Sequence, residues 1–371
     1  MRIGFDAKRA FHNTTGLGNY SRDLIRIMAT YYPENQYYLY NPKTPKINRL
    51  HLGTNMMIRQ PISIIDKIFP SFWRSKGIIK NLKKDKLDIF HGLSGELPLK
   101  ISKSGIKSVV TVHDLIFLRF PELYKPIDRK IYTAKFKSAI KNADVVVAIS
   151  ETTKQDIIHF FGTNENKIKV IYQGCHKAFK QNYSKEEKEL LINKYHLPKK
   201  FILNVGTLEE RKNAFTIIKA LKNNDLHIVL VGRETNYTKQ IHEFIKLYNM
   251  RNRVHFLQNL SLQELAILYQ LSSVFVYPSI YEGFGIPIIE ALYSKIPVIT
   301  QQNGVFPEAG GTNSFYIQNP LDEKELLDKI LQVYQQNNEE IIEKNWHFVQ
   351  KFNDETIASQ WQNLYKNLID N

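Results

Sequence analysis

The sequence has very little cysteine and no long apolar run. One cysteine, Cys175, stands among 371 residues, so an internal disulfide is excluded. No uncharged apolar stretch approaches the roughly 18 to 20 residues that a membrane-spanning helix needs. Residues 1–8 also lack the apolar core of a secretory signal. These absences predict a cytoplasmic protein with no transmembrane segment.

Low-complexity tracts and metal-ligand clusters are missing as well. Hydrophobic residues make up 43% of the chain and charged residues 23%, which excludes disordered, collagen-like and coiled-coil classes. No set of His, Cys and Asp side chains has the spacing of a metal site. The chain is long enough for two domains of ordinary size. We therefore expect a two-domain globular protein without a bound metal.

Acidic residues are scarce in one half of the chain only. The whole sequence has 51 Lys and Arg against 36 Asp and Glu, and positions 1–180 hold 31 of the basic and 14 of the acidic residues. The first half therefore has a net charge of +17, while the remainder is close to neutral. Such asymmetry predicts that the first half faces an anionic partner, such as phosphate, nucleic acid or an acidic membrane.

Strand-like and helix-like patterns alternate through both halves, which predicts two α/β domains, each a parallel sheet covered by helices. The predicted strands are 2–5, 87–90, 108–112, 145–148, 169–172, 201–205, 227–231, 253–257, 274–277 and 297–300. The predicted helices are 19–30, 130–141, 151–160, 214–221, 239–247, 263–270, 288–293, 323–335 and 356–368. We expect domains at 1–180 and 181–355, with a final helix at 356–371 crossing back to the first, and ligands at the carboxyl ends of the strands.

A glycine-rich turn with two glutamates follows the predicted strand 274–277. Gly283 and Gly285 allow close approach of a ligand to the backbone, and the next helix directs its free N–H groups at an anion. Glu282 and Glu290 lie eight residues apart and so do not share one helix face. This spacing favours two contacts to one elongated ligand. Two solvated glutamates in an ordinary turn would have the same pattern.

A second turn, at 204–213, joins a strand to a helix and contains adjacent cations. Gly206 permits the tight turn, and Arg211 and Lys212 can neutralise a diphosphate. Cations are disfavoured at a helix N-terminus unless an anion lies between them and the helix. The turn therefore predicts a phosphate site, with a basic solvated helix start as the alternative.

In the first domain, Gly16, Leu17 and Gly18 open a helix after the first strand. A full dinucleotide-binding pattern would need a third glycine at position 21, which is Ser21. Nicotinamide binding is therefore disfavoured.

Two histidines stand at predicted strand ends, at the expected edge of a ligand cleft. His113 precedes Asp114, and His91 precedes Ser94 and Glu96. Either histidine can contact a substrate or can serve as a hydrogen-bonded structural residue.

The Glu282-Gly283-Phe284-Gly285 turn with Glu290 resembles the Glu-x7-Glu motif of retaining glycosyltransferase family 4, which has the GT-B fold. The similarity extends over nearly the whole chain. It implies that Glu290 binds the nucleotide ribose, and that Glu282 with the amides of Phe284 and Gly285 holds the donor sugar. Residues 304–308 resemble the loop that closes on the nucleotide.

The same resemblance implies roles for the remaining motifs. The Gly206, Arg211 and Lys212 turn would bind the donor diphosphate and stabilise the leaving group. His113 would lie beside the transferred sugar, and the Gly16–Gly18 loop would border the acceptor and the phosphates. For His91 the strand-end position alone suggests an acceptor contact.

The resemblance implies a hexosyltransferase that retains anomeric configuration, acts in surface polysaccharide or lipopolysaccharide assembly and needs neither metal nor cofactor. GDP-mannose is the preferred donor, because the context of His113 and the Arg211 turn are similar to mannosyltransferases. UDP-N-acetylglucosamine, other UDP-hexoses and dTDP-rhamnose remain open. A GT-B sugar-nucleotide epimerase and a basic nucleic-acid-binding protein are the alternatives, although no nucleic-acid-binding signature accompanies the charge.

Residues 64–84 interleave basic and bulky apolar side chains, as in segments that lie on a lipid surface. Phe69, Phe72 and Trp73 are the expected inserting residues. A helix packed on its own sheet would look similar. The surplus charge of the first half favours peripheral binding to an anionic membrane, where a saccharide or lipid-linked acceptor would be met.

Overall fold

A computed structural model describes residues 1–370 as two compact units. The first unit contains Met1–Gly174 and the chain from Phe352 onward, and the second contains Cys175–Lys351. The boundaries predicted from the sequence were 180 and 355. Each unit is built on one parallel sheet, so the predicted α/β class with two doubly wound domains is confirmed.

The first unit has a seven-stranded sheet in the order β3-β2-β1-β4-β5-β6-β7, with every neighbouring pair parallel. Its strands are rich in apolar residues on both faces, as expected for a sheet covered by helices on each side. The order reverses beside β1, because β2 lies on one side of it and β4 on the other. The strands are β1 Arg2–Asp6, β2 Gln36–Tyr40, β3 Met56–Arg59, β4 Ile89–Gly92, β5 Lys107–Val112, β6 Val145–Ala148 and β7 Ile168–Val170.

Helices of the first unit cover this sheet and bury its apolar core. Ser150 caps α8 by accepting a hydrogen bond from the Thr153 amide, and Gly162 ends the helix in the left-handed conformation. The helices are α1 Lys8–His12, α2 Gly16–Tyr31, α3 Ile64–Ile68, α4 Pro70–Phe72, α5 Ile78–Lys84, α6 Ile116–Arg119, α7 Pro126–Asn142 and α8 Glu151–Phe161, with a π-helical turn at Trp73–Gly77.

The second unit has a six-stranded parallel sheet in the order β10-β9-β8-β11-β12-β13. Ser184 and Ser261 begin two of its helices with complete capping boxes. The strands are β8 Ile202–Val205, β9 Ile228–Val231, β10 Val254–Leu257, β11 Val274–Tyr277, β12 Val298–Gln301 and β13 Phe315–Ile317. The helices are α9 Lys185–Tyr195, α10 Ala214–Ala220, α11 Thr238–Leu247, α12 Leu262–Leu271, α13 Ile286–Tyr293, α14 Phe306–Gly310, α15 Glu323–Gln335 and α16 Glu339–Val349.

The last helix, α17 at Asp354–Asp370, lies in the first unit and packs against α2. Asp354 accepts a hydrogen bond from Arg26 at 2.8 Å. Trp361 and Tyr365 are buried in the same core as strand β1. The core of the first unit therefore includes residues from both ends of its sequence.

The segment between β3 and β4 differs from the expectation at one residue. Trp73 is buried, packs near Tyr40 and donates a hydrogen bond from its indole nitrogen to Asn81 at 2.9 Å. The prediction that Trp73 is exposed and inserts into lipid is therefore wrong, because the π-helical turn directs this side chain into the protein. The exposed large apolar side chains between β3 and α5 are Ile62, Ile64, Ile65, Ile68, Phe69 and Phe72.

Candidate functional site

Glu282 is the centre of a cluster of charged and polar groups in the second unit. Its Oε1 atom accepts hydrogen bonds from Lys212 Nζ at 2.5 Å, Ser279 Oγ at 2.7 Å and Tyr277 OH at 3.0 Å. The same oxygen lies 2.9 Å from a guanidinium nitrogen of Arg211. The Glu282 side chain is only 11% exposed. The structure therefore brings together three of the residues predicted to bind the donor.

The ionisation of this cluster follows from its contacts. Burial alone would raise the pKa of Glu282, but the charges of Lys212 and Arg211, with hydrogen bonds from Lys212 and Ser279, lower it to about 2. Burial and the Glu282 carboxylate raise the pKa of the Tyr277 hydroxyl well above its usual value. Near neutral pH the cluster therefore contains a carboxylate and a protonated phenol.

Two turns at the carboxyl ends of β8 and β11 hold the cations and the carboxylate together. Gly206, directly after β8, has a φ of +152°, and a Cβ there would lie 3.5 Å from the Lys212 side chain. The Arg211 carbonyl accepts a hydrogen bond from the Ile280 amide and lies 3.2 Å from Ser279 Oγ. The cation turn and the glutamate turn are thus bonded to each other.

Several residues that the sequence motifs did not single out fix these turns. Buried Gln301 donates hydrogen bonds to the carbonyls of Ser279 and Ile280, each at 2.7 Å. Asn213 donates to the carbonyls of Pro278 and Pro320. Both residues have amide side chains: Gln301 stands at the end of a strand and Asn213 at the start of a helix. This position is the only signal in the sequence that could have identified them.

Glu290 lies within α13, beyond the glycine turn, and is held separately from Glu282. Gly285 precedes this helix with a φ of +102°, in the region that favours glycine. The Tyr269 hydroxyl, buried on α12, donates a hydrogen bond to Glu290 Oε2 at 3.0 Å. Phe284, which lies between the two glutamates in the sequence, is buried. That the two carboxylates serve different parts of one ligand stays a prediction.

The arrangement in the second unit suits an anionic ligand with hydroxyl groups. Arg211 and Lys212 offer positive charge, while Glu282 and Glu290 offer carboxylate acceptors for hydroxyl donors. The hydrogen bonds and ion pairs described above all reach Glu282 at Oε1. Within residues 1–370, no three His, Cys, Asp or Glu side chains are grouped as a metal site.

The Gly16–Gly18 loop of the first unit is held by hydrogen bonds to Asn13. The Asn13 side-chain oxygen accepts from the amides of Thr15 and Gly18. A Cβ at Gly18 would overlap the Asn13 carbonyl oxygen, whereas one at Gly16 would meet nothing within 4 Å. Gly18 is therefore required for the fold of the turn, and Gly16 and Leu17 begin α2.

His113 is a buried, neutral histidine at the end of β5. Its Nε2 donates to the Leu93 carbonyl at 2.8 Å, and Gln173 lies 3.4 Å from its Nδ1. The Tyr20 ring meets the imidazole edge-on at 4.5 Å. Burial lowers the pKa of His113 to about 4, although the Leu93 hydrogen bond opposes the shift. Both ring nitrogens of His113 therefore have protein partners, and its predicted contact with the transferred sugar stays a prediction.

His91 does not have the role that its position suggested. The side chain is fully buried, and its ring nitrogens lie 2.7 Å from the Tyr365 hydroxyl and 2.8 Å from Thr111 Oγ1. Burial and the neighbouring His113 lower its pKa to about 3. The predicted acceptor contact is replaced by a structural one, because the hydrogen bonds of α17 and β5 occupy both nitrogens.

Two family models match the chain, one in each half. Residues 19–178 match Glycosyltransferase Family 4, and residues 185–347 match Glycosyl transferases group 1. Together the two matches cover most of the sequence. The chain belongs to the family 4 glycosyltransferases. The expected family is thereby confirmed.

Curated relatives of this glycosyltransferase include bacterial mannosyltransferases. The chain is 32% identical over 228 residues to O-antigen chain mannosyltransferase RfbU of Salmonella typhimurium, covering 61% of this chain and 60% of that protein. It is 24% identical over 359 residues to O-antigen chain mannosyltransferase B of Escherichia coli, covering 91% and 92%. The first of these matches thus spans less than two thirds of the relative's length.

Solved structures show the fold of this glycosyltransferase. A glycosyltransferase from Rickettsia africae ESF-5 superposes with a TM-score of 0.77 at 21% identity, covering 100% of this chain and 98% of that one. WaaG, a glycosyltransferase involved in lipopolysaccharide biosynthesis, superposes with a TM-score of 0.72 at 15% identity, covering 98% and 99%. The predicted GT-B fold is confirmed.

Proposed function

We propose that this protein transfers a hexose, with mannose from GDP-mannose as the first choice, to a saccharide or lipid-linked acceptor in surface polysaccharide or lipopolysaccharide assembly. The observation that supports it is the Glu282 cluster. A buried carboxylate paired with two adjacent cations provides hydroxyl acceptors and diphosphate-binding charge in one place. The mannosyltransferase names of the relatives support the choice of sugar.

In the proposed mechanism the protein stabilises the leaving group. The bond between the anomeric carbon and the diphosphate breaks while Arg211 and Lys212 neutralise the charge that develops on the phosphate oxygen. That oxygen takes the proton of the acceptor hydroxyl, whose oxygen bonds to the same face of the anomeric carbon. Configuration is therefore retained without a covalent enzyme intermediate. Because the two cations supply the positive charge, the scheme requires no metal ion or other cofactor.

A donor panel with product mass analysis tests this function. GDP-mannose, UDP-N-acetylglucosamine, other UDP-hexoses and dTDP-rhamnose are each supplied with an acceptor saccharide, and the mass and anomeric configuration of the product are measured. We expect a product one hexose heavier from GDP-mannose. Conversion of a donor without an acceptor would instead identify an epimerase, and absence of turnover with every donor would contradict the proposal.

Replacing Glu290 with alanine is expected to raise the donor KM. A charged acceptor of ribose hydroxyls contributes roughly 1.5 to 3 kcal/mol, which corresponds to a roughly 10- to 100-fold change in affinity. Calorimetric titration of the folded variant with donor measures the loss.

Tyr269→Phe is the matched control for Glu290→Ala. It removes the hydrogen bond to Glu290 Oε2 but keeps the carboxylate, so donor affinity should change much less. Equal affinity of wild type and Glu290→Ala would overturn the ribose assignment. Equal losses in the two variants would show that the glutamate acts through packing on Tyr269.

We also propose that the first unit binds an anionic membrane surface. Ile64, Ile65, Ile68, Phe69 and Phe72 are exposed, which is unusual for so many neighbouring apolar side chains. Exposed lysines, among them Lys67 and Lys76, are interleaved with them. Apolar side chains with surrounding positive charge match the two attractions of an acidic lipid surface. No helix within residues 1–370 is long and apolar enough to cross a membrane.

Replacing Lys80, Lys83 and Lys84 with glutamine is expected to weaken binding to acidic vesicles. Each basic residue near such a surface contributes about 1 kcal/mol at low salt, and added salt screens this attraction. Co-sedimentation with vesicles that contain anionic phospholipid, as the cytoplasmic leaflet does, measures the change. Donor binding should stay unchanged.

The matched control replaces three exposed lysines of the second unit, Lys185, Lys199 and Lys200, with glutamine. Its net charge changes equally, so vesicle binding should be retained if the first unit makes the contact. Phe69→Ser/Phe72→Ser should remove the part of binding that resists salt. Wild-type protein that stays in the supernatant at low ionic strength would refute membrane binding.

A further inference from the structure

The first unit contains a cavity of about 660 Å³ at the carboxyl edge of its sheet. Asp6 ends β1, Pro42 and Lys43 follow β2, and Glu96 and Leu97 follow β4. The strand order reverses at β1, which is the position where open parallel sheets bind ligands. The volume of the cavity lies within the range of about 300 to 1,000 Å³ that is typical of small-molecule sites. Neither the Glu282 cluster nor His113 forms part of this cavity.

The wall of the cavity contains an arginine held between two carboxylates. Arg74 lies 2.5 Å from Asp6 Oδ2 and 2.5 Å from Glu96 Oε2. Its side chain is 13% exposed and that of Asp6 is 8% exposed. Glu96 Oε1 is also 3.4 Å from Lys135 Nζ. Such a network fixes two carboxylates as hydrogen-bond acceptors inside a pocket, as a saccharide with several hydroxyls requires.

Three further lysines give the cavity a surplus of positive charge. Lys8, Lys43 and Lys46 line it, and within residues 1–370 none of them forms an ion pair with a carboxylate. Burial, followed by the charge of Arg74, lowers the pKa of Lys8. An anion bound beside Lys8 would offset both effects. The cavity thus combines hydroxyl acceptors with three lysines that form no ion pair with a carboxylate in the part of the chain that the structure describes.

The same helical segment separates this cavity from the exposed apolar residues. Pro70, Ser71 and Arg74 line the cavity, whereas Phe69 and Phe72, their neighbours in α4 and its flanks, are exposed. Leu99, which also lines the cavity, is exposed as well. A polar head group in the cavity would therefore lie next to an apolar surface.

We infer that this cavity is the acceptor site and that it takes a saccharide carrying a phosphate or diphosphate group. Asp6 and Glu96 accept hydrogen bonds from the sugar hydroxyls, while Lys8, Lys43 and Lys46 bind the phosphate oxygens. The neighbouring apolar surface favours an acceptor whose phosphate is attached to a lipid. The assignment of this ligand as the acceptor rests on the proposed transfer reaction. The binding of a phosphorylated saccharide is testable without turnover.

Lysine-specific acetylation read by mass spectrometry tests the anion site directly. Inorganic pyrophosphate is added at millimolar concentration, and the acetylation rate of each lysine is measured with and without it. We expect Lys8, Lys43 and Lys46 to be protected, while exposed Lys199 and Lys200 react as before. Equal rates at the three cavity lysines would overturn the site. Protection of Lys212 is read separately and reports only on the second unit.

A pair of charge variants tests whether the site serves the acceptor. Lys43→Gln/Lys46→Gln should raise the acceptor KM by about tenfold or more, because charge-assisted hydrogen bonds are lost. Its kcat at saturating acceptor and its donor affinity should stay within about twofold of wild type, a difference worth under about 0.5 kcal/mol. The control Lys199→Gln/Lys200→Gln carries the same charge change in the other unit. Unchanged acceptor KM in the cavity variant overturns the acceptor assignment.

Two forms of one acceptor distinguish the source of the phosphate. One is a water-soluble glycosyl diphosphate, and the other is the same glycosyl diphosphate on a prenyl lipid in neutral detergent micelles. Equal effects of the cavity variant on both forms support recognition of the phosphate itself, and a larger effect on the lipid form adds the apolar surface. If only the lipid form is affected and pyrophosphate protects no cavity lysine, the lysines act on the lipid aggregate and the cavity proposal fails. If no donor is turned over, the proposed function fails while the protection result still stands.

Discussion

Replacing Lys212 with alanine, alone or together with Arg211→Ala, is expected to lower kcat by roughly 100- to 1,000-fold, the usual effect of removing one preorganised group that stabilises developing charge. The negative charge on the diphosphate grows as the glycosidic bond breaks, so the lost stabilisation is greatest in the transition state. Single-turnover measurements at saturating donor separate this loss from weaker binding. Full turnover in a variant of native stability would contradict the leaving-group role.

The ion pairs of Glu282 require a stability control for this experiment. Lys212→Ala leaves a largely buried carboxylate with Arg211 as its remaining cation, and an incompletely paired buried charge is destabilising. Adding Glu282→Gln removes the uncompensated charge, so the double variant should recover thermal stability without recovering turnover. Lys219→Ala, which removes a lysine from the following helix α10, should leave kcat unchanged. Recovery of both stability and turnover would show that Lys212 only supports the fold.

The first unit is expected to lose about 3 kcal/mol of unfolding free energy between pH 6.5 and pH 4 through His113 alone, since each pKa unit corresponds to about 1.4 kcal/mol. The pKa of His113 is about 4 in the folded protein, against 6.5 for a histidine exposed to water in an unfolded chain. Over that interval the unfolded state binds the proton and the folded state does not, so acidification favours unfolding. His91 has a pKa of about 3 in the folded protein. It also destabilises the folded state on acidification, and its effect extends to a lower pH than that of His113.

Urea unfolding followed by hydrogen exchange and mass spectrometry measures this loss, because peptides from the two units are resolved. His113→Gln should flatten the pH dependence in peptides of the first unit. His347→Gln, at an exposed site, should leave it unchanged. In the second unit, the pKa of Glu282 is about 2 in the folded protein. Glu282 therefore lowers the free energy of unfolding only as the pH falls from 4.5 to 2. A first unit equally stable at pH 6.5 and pH 4.5 would contradict buried neutral histidines.

Most of the two sheets could be predicted from the sequence, because buried parallel strands such as Val145–Ala148 and Val274–Tyr277 are short continuous apolar runs. Three strands were missed. Strand β2 is a tyrosine-rich run whose hydroxyls mask its apolar character, and Tyr37 and Tyr40 are nevertheless buried. Strand β3 is a half-buried edge, and β13 has only three residues, so neither has enough periodicity to be recognised.

The candidate site was predictable where a motif contains both the chemistry and the turn. Glu282, Arg211 and Lys212 meet as expected, because their turns follow strands whose carboxyl ends share one sheet edge. The residues that fix those turns, such as Gln301, donate hydrogen bonds to backbone carbonyls. Such contacts leave no recognisable motif in the sequence. His91 was misassigned because the residue that occupies its Nδ1, Tyr365, is 274 positions away. The sequence offers no local sign of such a partner.

The return of α17 to the first unit has a consequence for the order of folding during synthesis. Domains ordinarily fold as they leave the ribosome, with the N-terminal one first. Here Trp361 and Tyr365, which complete the core around β1 and close the hydrogen bond of His91, are translated after the whole second unit. The second unit can reach its final structure while the first still lacks a helix. A nascent chain of this protein therefore exposes part of its N-terminal core until α17 has been translated.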